Sequence, residues 1–257
     1  MAQSYRQIYP KLAGQIRLVM TDVDGTITAG DGSFSSLVLE AVRCLEKQAI
    51  MVGLVSGRNI SKLESFARDL GISGPIIAEN GGVAKVSREG KLIDLGYNQQ
   101  PAIRALEKLK RVFTDAIEDR EWNKHRLVDL VFRPHGVETE ELRKHVEDVE
   151  LLDSGYVLHL VQKGVSKGKT LMRLLGEIGD GSLTPDEVVV FGDFTTDMSL
   201  FQSFTHSVLI PNPRLSADEI QMLRNVARYE SDLPFGDGFA QVAFHILSAR
   251  LDSGLKQ

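Results

Sequence analysis

Three short apolar runs, "IRLVMTD", "IMVGLVSG" and "GPIIAENGG", alternate with two stretches whose apolar residues recur at helical spacing, "SSLVLEAVRCLEKQA" and "NISKLESFARDLG". Runs of this kind suit strands covered on both faces, and strand and helix in strict alternation build a parallel sheet. Within the first helix, Leu37, Ala41, Cys44 and Leu45 follow the spacing, so the cysteine is expected in the core. The alternation returns from about residue 164: helix "KGKTLMRLLGEIG", strand "EVVVFGD", helix "TDMSLFQSF", strand "SVLIPN", helix "SADEIQMLRNV" and a last helix from about Gly238 to Leu251.

Between these halves the texture changes. Residues 84–161 read as β pieces in "VAKVSREGKLIDL", a helix "PAIRALEKLKRVF", a strand "RLVDLVFR", a helix "VETEELRKHVEDV" and a strand "YVLHLVQ". Apolar runs broken by single polar residues predict an antiparallel sheet with one face packed on helices. The expected fold class is α/β, a Rossmann-like parallel-sheet core from residues 1–83 and 162–257 with an inserted α+β cap domain at 84–161. Gly81, Gly82, Gly164 and Gly168 are the expected joints between them.

A length of 257 residues suits two compact parts. The formal charge of −5, without a basic stripe interleaved with aromatics, argues against nucleic-acid and membrane partners. One cysteine makes no intramolecular disulfide, the amino-terminal apolar run is short for a signal peptide, and no run approaches the ~18 apolar residues of a membrane span. A cytoplasmic enzyme is the expectation, and the sequence is compatible with a homodimer.

Residues two apart in an extended segment face one side, so Asp22 and Asp24 can converge where the first strand ends. Open α/β sheets bind ligands at that edge. Close carboxylates repel unless a cation or shared proton intervenes, and an all-oxygen set suits Mg²⁺; an aspartate-rich turn is the plainer reading. A further pair, Asp193 and Asp197, ends another strand, and a helix starting at Thr195 or Thr196 would put both on one face, with helix capping by Asp193 the alternative. Ser56 and Gly57 end the second strand before a helix whose first amides can hold phosphate, although Ser-Gly also makes ordinary turns. Of Lys163, Lys167 and Lys169, one can neutralise charge on a nucleophile and phosphoryl oxygens while the others are solvated.

In this order "DVDGT", "SGR", Lys167 and "GDFTTD" resemble the four motifs of the haloacid dehalogenase superfamily of phosphohydrolases. The insertion resembles that superfamily's α/β cap. "GPIIAENGG", "SGYVLHLVQKGVSKG" and "DLPFGDG" extend the resemblance to the archaeal-type phosphoglycolate phosphatase group over nearly the whole chain. The resemblance implies Asp22 as the nucleophile that becomes an aspartyl phosphate, Asp24 as general acid and then base, and Ser56, Gly57 and Lys167 as the phosphoryl-binding set. It implies magnesium held by the Asp22 carboxylate, the Asp24 main-chain carbonyl and Asp193, with Asp197 in support. The implied partner is a small phosphorylated metabolite, phosphoglycolate first.

One departure is Thr196, where the family often has Asn, and it keeps open a binding protein without turnover. A sugar phosphatase or phosphosugar mutase is the other alternative. A phospho-accepting receiver module is disfavoured, because such modules carry two adjacent acids and are far shorter. Arg58 is read as pairing with acidic neighbours, and His159 as bonding within the cap. Trp122, Lys124, His125, Arg126, Arg133 and His135 form a cap cluster able to meet an anionic or hydroxylated leaving group.

Overall fold

The computed structural model describes residues 1–119 and 121–254. Among them, nine strands form the larger sheet, in the order Gln3–Ser4, Tyr229–Glu230, His206–Leu209, Val188–Gly192, Leu18–Thr21, Met51–Val55, Ile76–Ala78, Val83–Lys85 and Leu92–Ile93. The first seven run parallel; the last two fold back antiparallel. Leu18–Thr21 is buried throughout because helices cover both faces. Pro10–Gln15, Ser36–Lys47, Ile60–Leu70 and Phe235–Gly254 pack on one side, and Lys167–Leu174, Met198–Ser203 and Ala217–Val226 on the other. Each fully buried Val or Leu in these layers contributes about 1.5–3 kcal/mol relative to exposure.

Helix ends follow local chemistry. Asn59 caps Ile60–Leu70 by accepting from the Lys62 N–H, and Gly71 ends it in the left-handed conformation. The buried face of Ser36–Lys47 is Val38, Ala41, Val42 and Leu45. Leu37 is exposed and Cys44 is half-buried, so the core stripe keeps the expected Ala41 and Leu45 and takes Val38 and Val42 for the other two.

A second sheet, antiparallel throughout, runs Ile117–Asp119, Leu130–Pro134, Leu158–Gln162, Val149–Asp153. Leu130, Phe132, Leu158 and Leu160 bury one face against Ala102, Leu106 and Leu109 of Gln100–Val112 and against Leu142. The alternate residues Asp129, Arg133 and His159 turn toward the strand ends of the large sheet, since side chains two apart share a face.

Three expectations need correction. Val83–Lys85 and Leu92–Ile93, assigned above to the insertion, pair with Ile76–Ala78 and extend the large sheet, where Ala84 joins the core beside Ile77. The helix read across "VETEELRKHVEDV" stops at Arg143, and Val149–Asp153 is a strand whose Val149 and Leu151 are buried while Glu150 is exposed. Of the four glycines read as joints, Gly164 sits in open space, whereas Gly81, Gly82 and Gly168 are tightly packed; Gly168 lies inside Lys167–Leu174 against Ser199.

Candidate active site

Four parallel strands end around one cavity. Asp22 follows Leu18–Thr21, and its N–H donates to the Phe191 carbonyl at 3.0 Å, so the loop leaves the strand tied to its neighbour. Gly25 (φ +90°) then reverses the chain; a Cβ there would lie 2.3 Å from Asp193 Oδ2. Conformation and space both require glycine. Thr26 Oγ1 donates to Asp193 Oδ1 and Asn212 Nδ2 to Asp193 Oδ2, each at 2.5 Å.

Lys167 Nζ enters from the first turn of its helix and donates to Asp22 Oδ1 at 2.7 Å and Asp197 Oδ1 at 2.6 Å. The other oxygen of Asp197 accepts the N–H groups of Asp193 and Phe194, both at 3.1 Å. Asp197 therefore does the capping that was the alternative reading of Asp193, and Asp193 lies ahead of the Thr195–Asp197 turn instead of sharing a helical face with it.

Asp22, Asp193 and Asp197 each offer one carboxylate oxygen, all within 4.8 Å of one another. All three are buried, with Lys167 the cation bonded to two of them. Burial pushes the Asp22 carboxyl well above its ordinary range; Lys167 opposes this, and Asp197 and Asp193 add to it. Burial, then Asp197, raises Asp193 to about 7. Burial alone would lower the Lys167 ammonium, but Asp197 and Asp22 reverse the direction and keep it charged. An oxygen-only set with surplus negative charge can hold a hard divalent cation, which would relieve the crowding.

Above this floor lies a cavity of ≈ 380 Å³, lined among others by Asp22, Asp24, Ser56, Gly57, Lys167 and Thr196. Asp24 is gripped by Arg58, with Nε to Oδ2 at 2.7 Å and Nη2 to Oδ1 at 2.5 Å. Ser56 is buried at the end of Met51–Val55. A Cβ on Gly57 would lie 2.9 Å from His159 Cε1, so the second sheet approaches the loop as closely as a glycine permits.

That approach exposes a network the sequence reading missed. The Glu79 carboxylate accepts backbone N–H groups of Leu127 at 3.0 Å, Val128 at 2.8 Å and Asp129 at 3.1 Å. Asp129 in turn accepts from Arg126 Nη1, from Asn80 Nδ2 at 3.3 Å and from His159 Nδ1 at 2.9 Å. Arg126 Nη2 donates to the Gly57 carbonyl at 2.9 Å. His159 Nδ1 also lies 3.1 Å from Asn80 Nδ2, beyond its own sheet, the two donors sharing the Asp129 carboxylate. Burial, then Asp129, lifts Glu79 to about 7. Burial pushes Asp129 up as well, but Arg126 and His159 outweigh it and leave it below its ordinary value. Burial lowers His159 and keeps the ring neutral, which makes Nδ1 the donor to Asp129.

The other predicted residues separate cleanly. Trp122, Arg126, Arg133 and His159 line the cavity; Lys124 pairs with Glu121 and His135 with Glu118 at the surface. Lys163 and Lys169 are exposed. No helix among the described residues is long and apolar enough to cross a membrane.

A parallel sheet with its acids at the strand ends, roofed by a second, antiparallel sheet, places the chain in the α/β class. A family model described as haloacid dehalogenase-like hydrolase matches residues 19–120 and 95–221, and the chain belongs to that family. It is 28% identical over 231 residues to a phosphoglycolate phosphatase of Methanospirillum hungatei, covering 88% of this chain and 95% of the relative. A phosphoglycolate phosphatase of Thermoplasma acidophilum is 29% identical over 232 residues, covering 90% and 98%. A crystal structure of a Thermoplasma acidophilum protein superposes with TM-score 0.79 at 27% identity, covering 90% of this chain and 98% of that one. A haloacid dehalogenase-like hydrolase from Bacteroides thetaiotaomicron shares the fold, with TM-score 0.71 at 21% identity over 90% and 99% of the two chains.

Proposed function

We propose that the protein hydrolyses a small phosphate monoester through an aspartyl phosphate on Asp22, with phosphoglycolate the first substrate to test. The observation that carries this reading is Asp22 itself: a buried carboxylate on the cavity floor, one oxygen on Lys167, beside two further carboxylates. Asp22 attacks phosphorus, the bond from phosphorus to the ester oxygen breaks, and Asp24 gives that oxygen its proton. Water then attacks the phosphoryl group, Asp24 takes the proton, and inorganic phosphate leaves as Asp22 is restored. Asp24 must first turn away from Arg58, which holds both its oxygens. Ser56, Gly57 and Lys167 hold the phosphoryl oxygens.

Asp22, Asp193 and the Asp24 carbonyl, supported by Asp197, are the proposed holders of Mg²⁺. When bound, that ion would offset the repulsion between Asp22 and an incoming phosphate. Asp197 holds the Lys167 ammonium with one oxygen and two backbone N–H groups with the other, so its main part is to place Lys167. The second sheet and its helices serve as the cap, beginning after Leu92–Ile93 and ending before Lys167–Leu174. The relatives named as phosphoglycolate phosphatases support this substrate.

The test is phosphate release from phosphoglycolate and a panel of sugar phosphates, with and without Mg²⁺. Asp22→Asn is expected to lose at least about 10³-fold in turnover. Undiminished turnover in that variant overturns the reading.

A further inference from the structure

The cavity has two walls of different charge. The strand ends of the large sheet and their helices bring Asp22, Asp24 and Asp31 to it, with Arg58 and Lys167 already engaged by Asp24 and Asp22; the second sheet and the loop before it bring Arg126, Arg133 and His159 and no carboxylate. Asp129, the acid nearest that wall, lies behind it and is engaged by Arg126 and His159. Asp31 sits at the rim, where it accepts from Ser33 N at 2.9 Å and Ser33 Oγ at 2.6 Å.

The two arginines differ. Arg126 is buried with Nη1 on Asp129 and Nη2 on Gly57, while its Nε lacks a hydrogen-bond partner. Arg133 spends only Nε, on the Tyr156 carbonyl at 3.0 Å, and no carboxylate is recorded against its guanidinium among the described residues. Tyr156 holds it there from the far side. Its hydroxyl accepts from Arg214 Nη1, the Arg214 guanidinium lies 4.9 Å over its ring, and Arg214 Nη2 donates to the Gly30 carbonyl at 2.5 Å. Arg133 is thus a cation with free donors, strapped to the mouth of a cavity whose floor is acidic.

We propose that Arg133 binds a carboxylate on the leaving group, so that the enzyme selects phosphate esters of short hydroxy acids over those of neutral alcohols. Guanidinium donors in a planar fork match a carboxylate, and a neutral leaving group offers them no charged acceptor. At ≈ 380 Å³ the cavity suits a small ester. This inference rests on the phosphatase reading and deepens it by naming the substrate class and its reader.

The experiment compares kcat/KM for 2-phosphoglycolate and 2-hydroxyethyl phosphate, which differ in the carboxylate. Wild type is expected to prefer the acid. Arg133→Met should lower the preference on the order of 30-fold, chiefly through KM for the acid, and Arg133→Lys should restore part of it. Both esters are assayed on one preparation, so the ratio does not depend on how much of a variant folds. An unchanged ratio in Arg133→Met overturns the assignment. Equal hydrolysis of the two esters by wild type also overturns it while the phosphatase reading stands; hydrolysis of neither overturns it too, and the phosphatase reading falls with it only if the sugar phosphates are also left intact.

Discussion

On the floor of the cavity one ammonium, Lys167, serves a set of three buried carboxylates; at the seam one guanidinium, Arg126, serves Asp129, while Glu79 is satisfied by three backbone N–H groups. Both clusters are buried, and a buried charge is costly unless paired. The seam completes its own pairing with neutral donors and reads as a joint between the two sheets. The floor is short of positive charge and reads as a place that another cation must finish. Equal burial with unequal compensation separates a closed joint from the part proposed to react.

Removing the floor's ammonium should give the largest effect. Lys167→Met is expected to cost about 10²–10³-fold in kcat and about 3–5 kcal/mol of stability in metal-free buffer, read by urea denaturation. If the variant is as stable as wild type, the floor is not under the charge stress argued here.

Cutting the seam comes next. Glu79→Ala strands three backbone donors, and Glu79 and Asn80 both sit in the left-handed region (φ +51° and +57°) that non-glycine residues avoid. The expected loss is about 2–4 kcal/mol, with Glu79→Gln, which keeps an acceptor, costing less. Added Mg²⁺ should not rescue either variant; rescue would mean that the two clusters act as one.

Stability against pH sharpens the contrast. Asp193 and Glu79 are both raised to about 7 in the fold. Below the ordinary carboxylate range both states are protonated and nothing is lost. Above it the unfolded chain ionises while the native groups stay protonated, so native protein binds more protons and stability falls as pH rises from about 4 to 7. A few kcal/mol is the expected total decline without metal. Saturating Mg²⁺ should remove the part that Asp193 and the likewise raised Asp22 contribute, and Glu79→Gln the part due to Glu79. A metal-free melting temperature that climbs over this range contradicts the sign.

The smallest effect lies at the mouth. Tyr156→Phe loses the bond from Arg214 and is expected to raise KM for phosphoglycolate about 3-fold, with a smaller change in kcat.

Much of the floor could be read from the chain because its residues follow strand ends. Asp22, Ser56 and Asp193 each close an apolar run, and an α/β sheet brings those ends together. Asn212 ends the run "SVLIPN" by the same logic, and only its lack of charge hid it. The seam was not legible. Glu79 meets the Leu127–Asp129 amides 48 to 50 positions away, through backbone groups that leave no trace in residue identity. The strand Val149–Asp153 was hidden because "VEDVELLD" satisfies a helical period as well as a two-residue one, and tertiary pairing with Leu158–Gln162 decided between them. Val83–Lys85 was misplaced for a related reason: its buried Ala84 could join either sheet's core, and the chain reversal after Ala78 gave it to the larger.

The two-residue alternation of the roof has a practical corollary for redesign. Positions 133, 157 and 159 line the cavity at the strand ends, whereas Leu130, Phe132, Leu158 and Leu160 anchor the opposite surface to its helices. A combinatorial library restricted to the odd-numbered set, sparing His159 for its bond to Asp129, would repaint the wall a substrate meets while the even-numbered scaffold goes on folding as before.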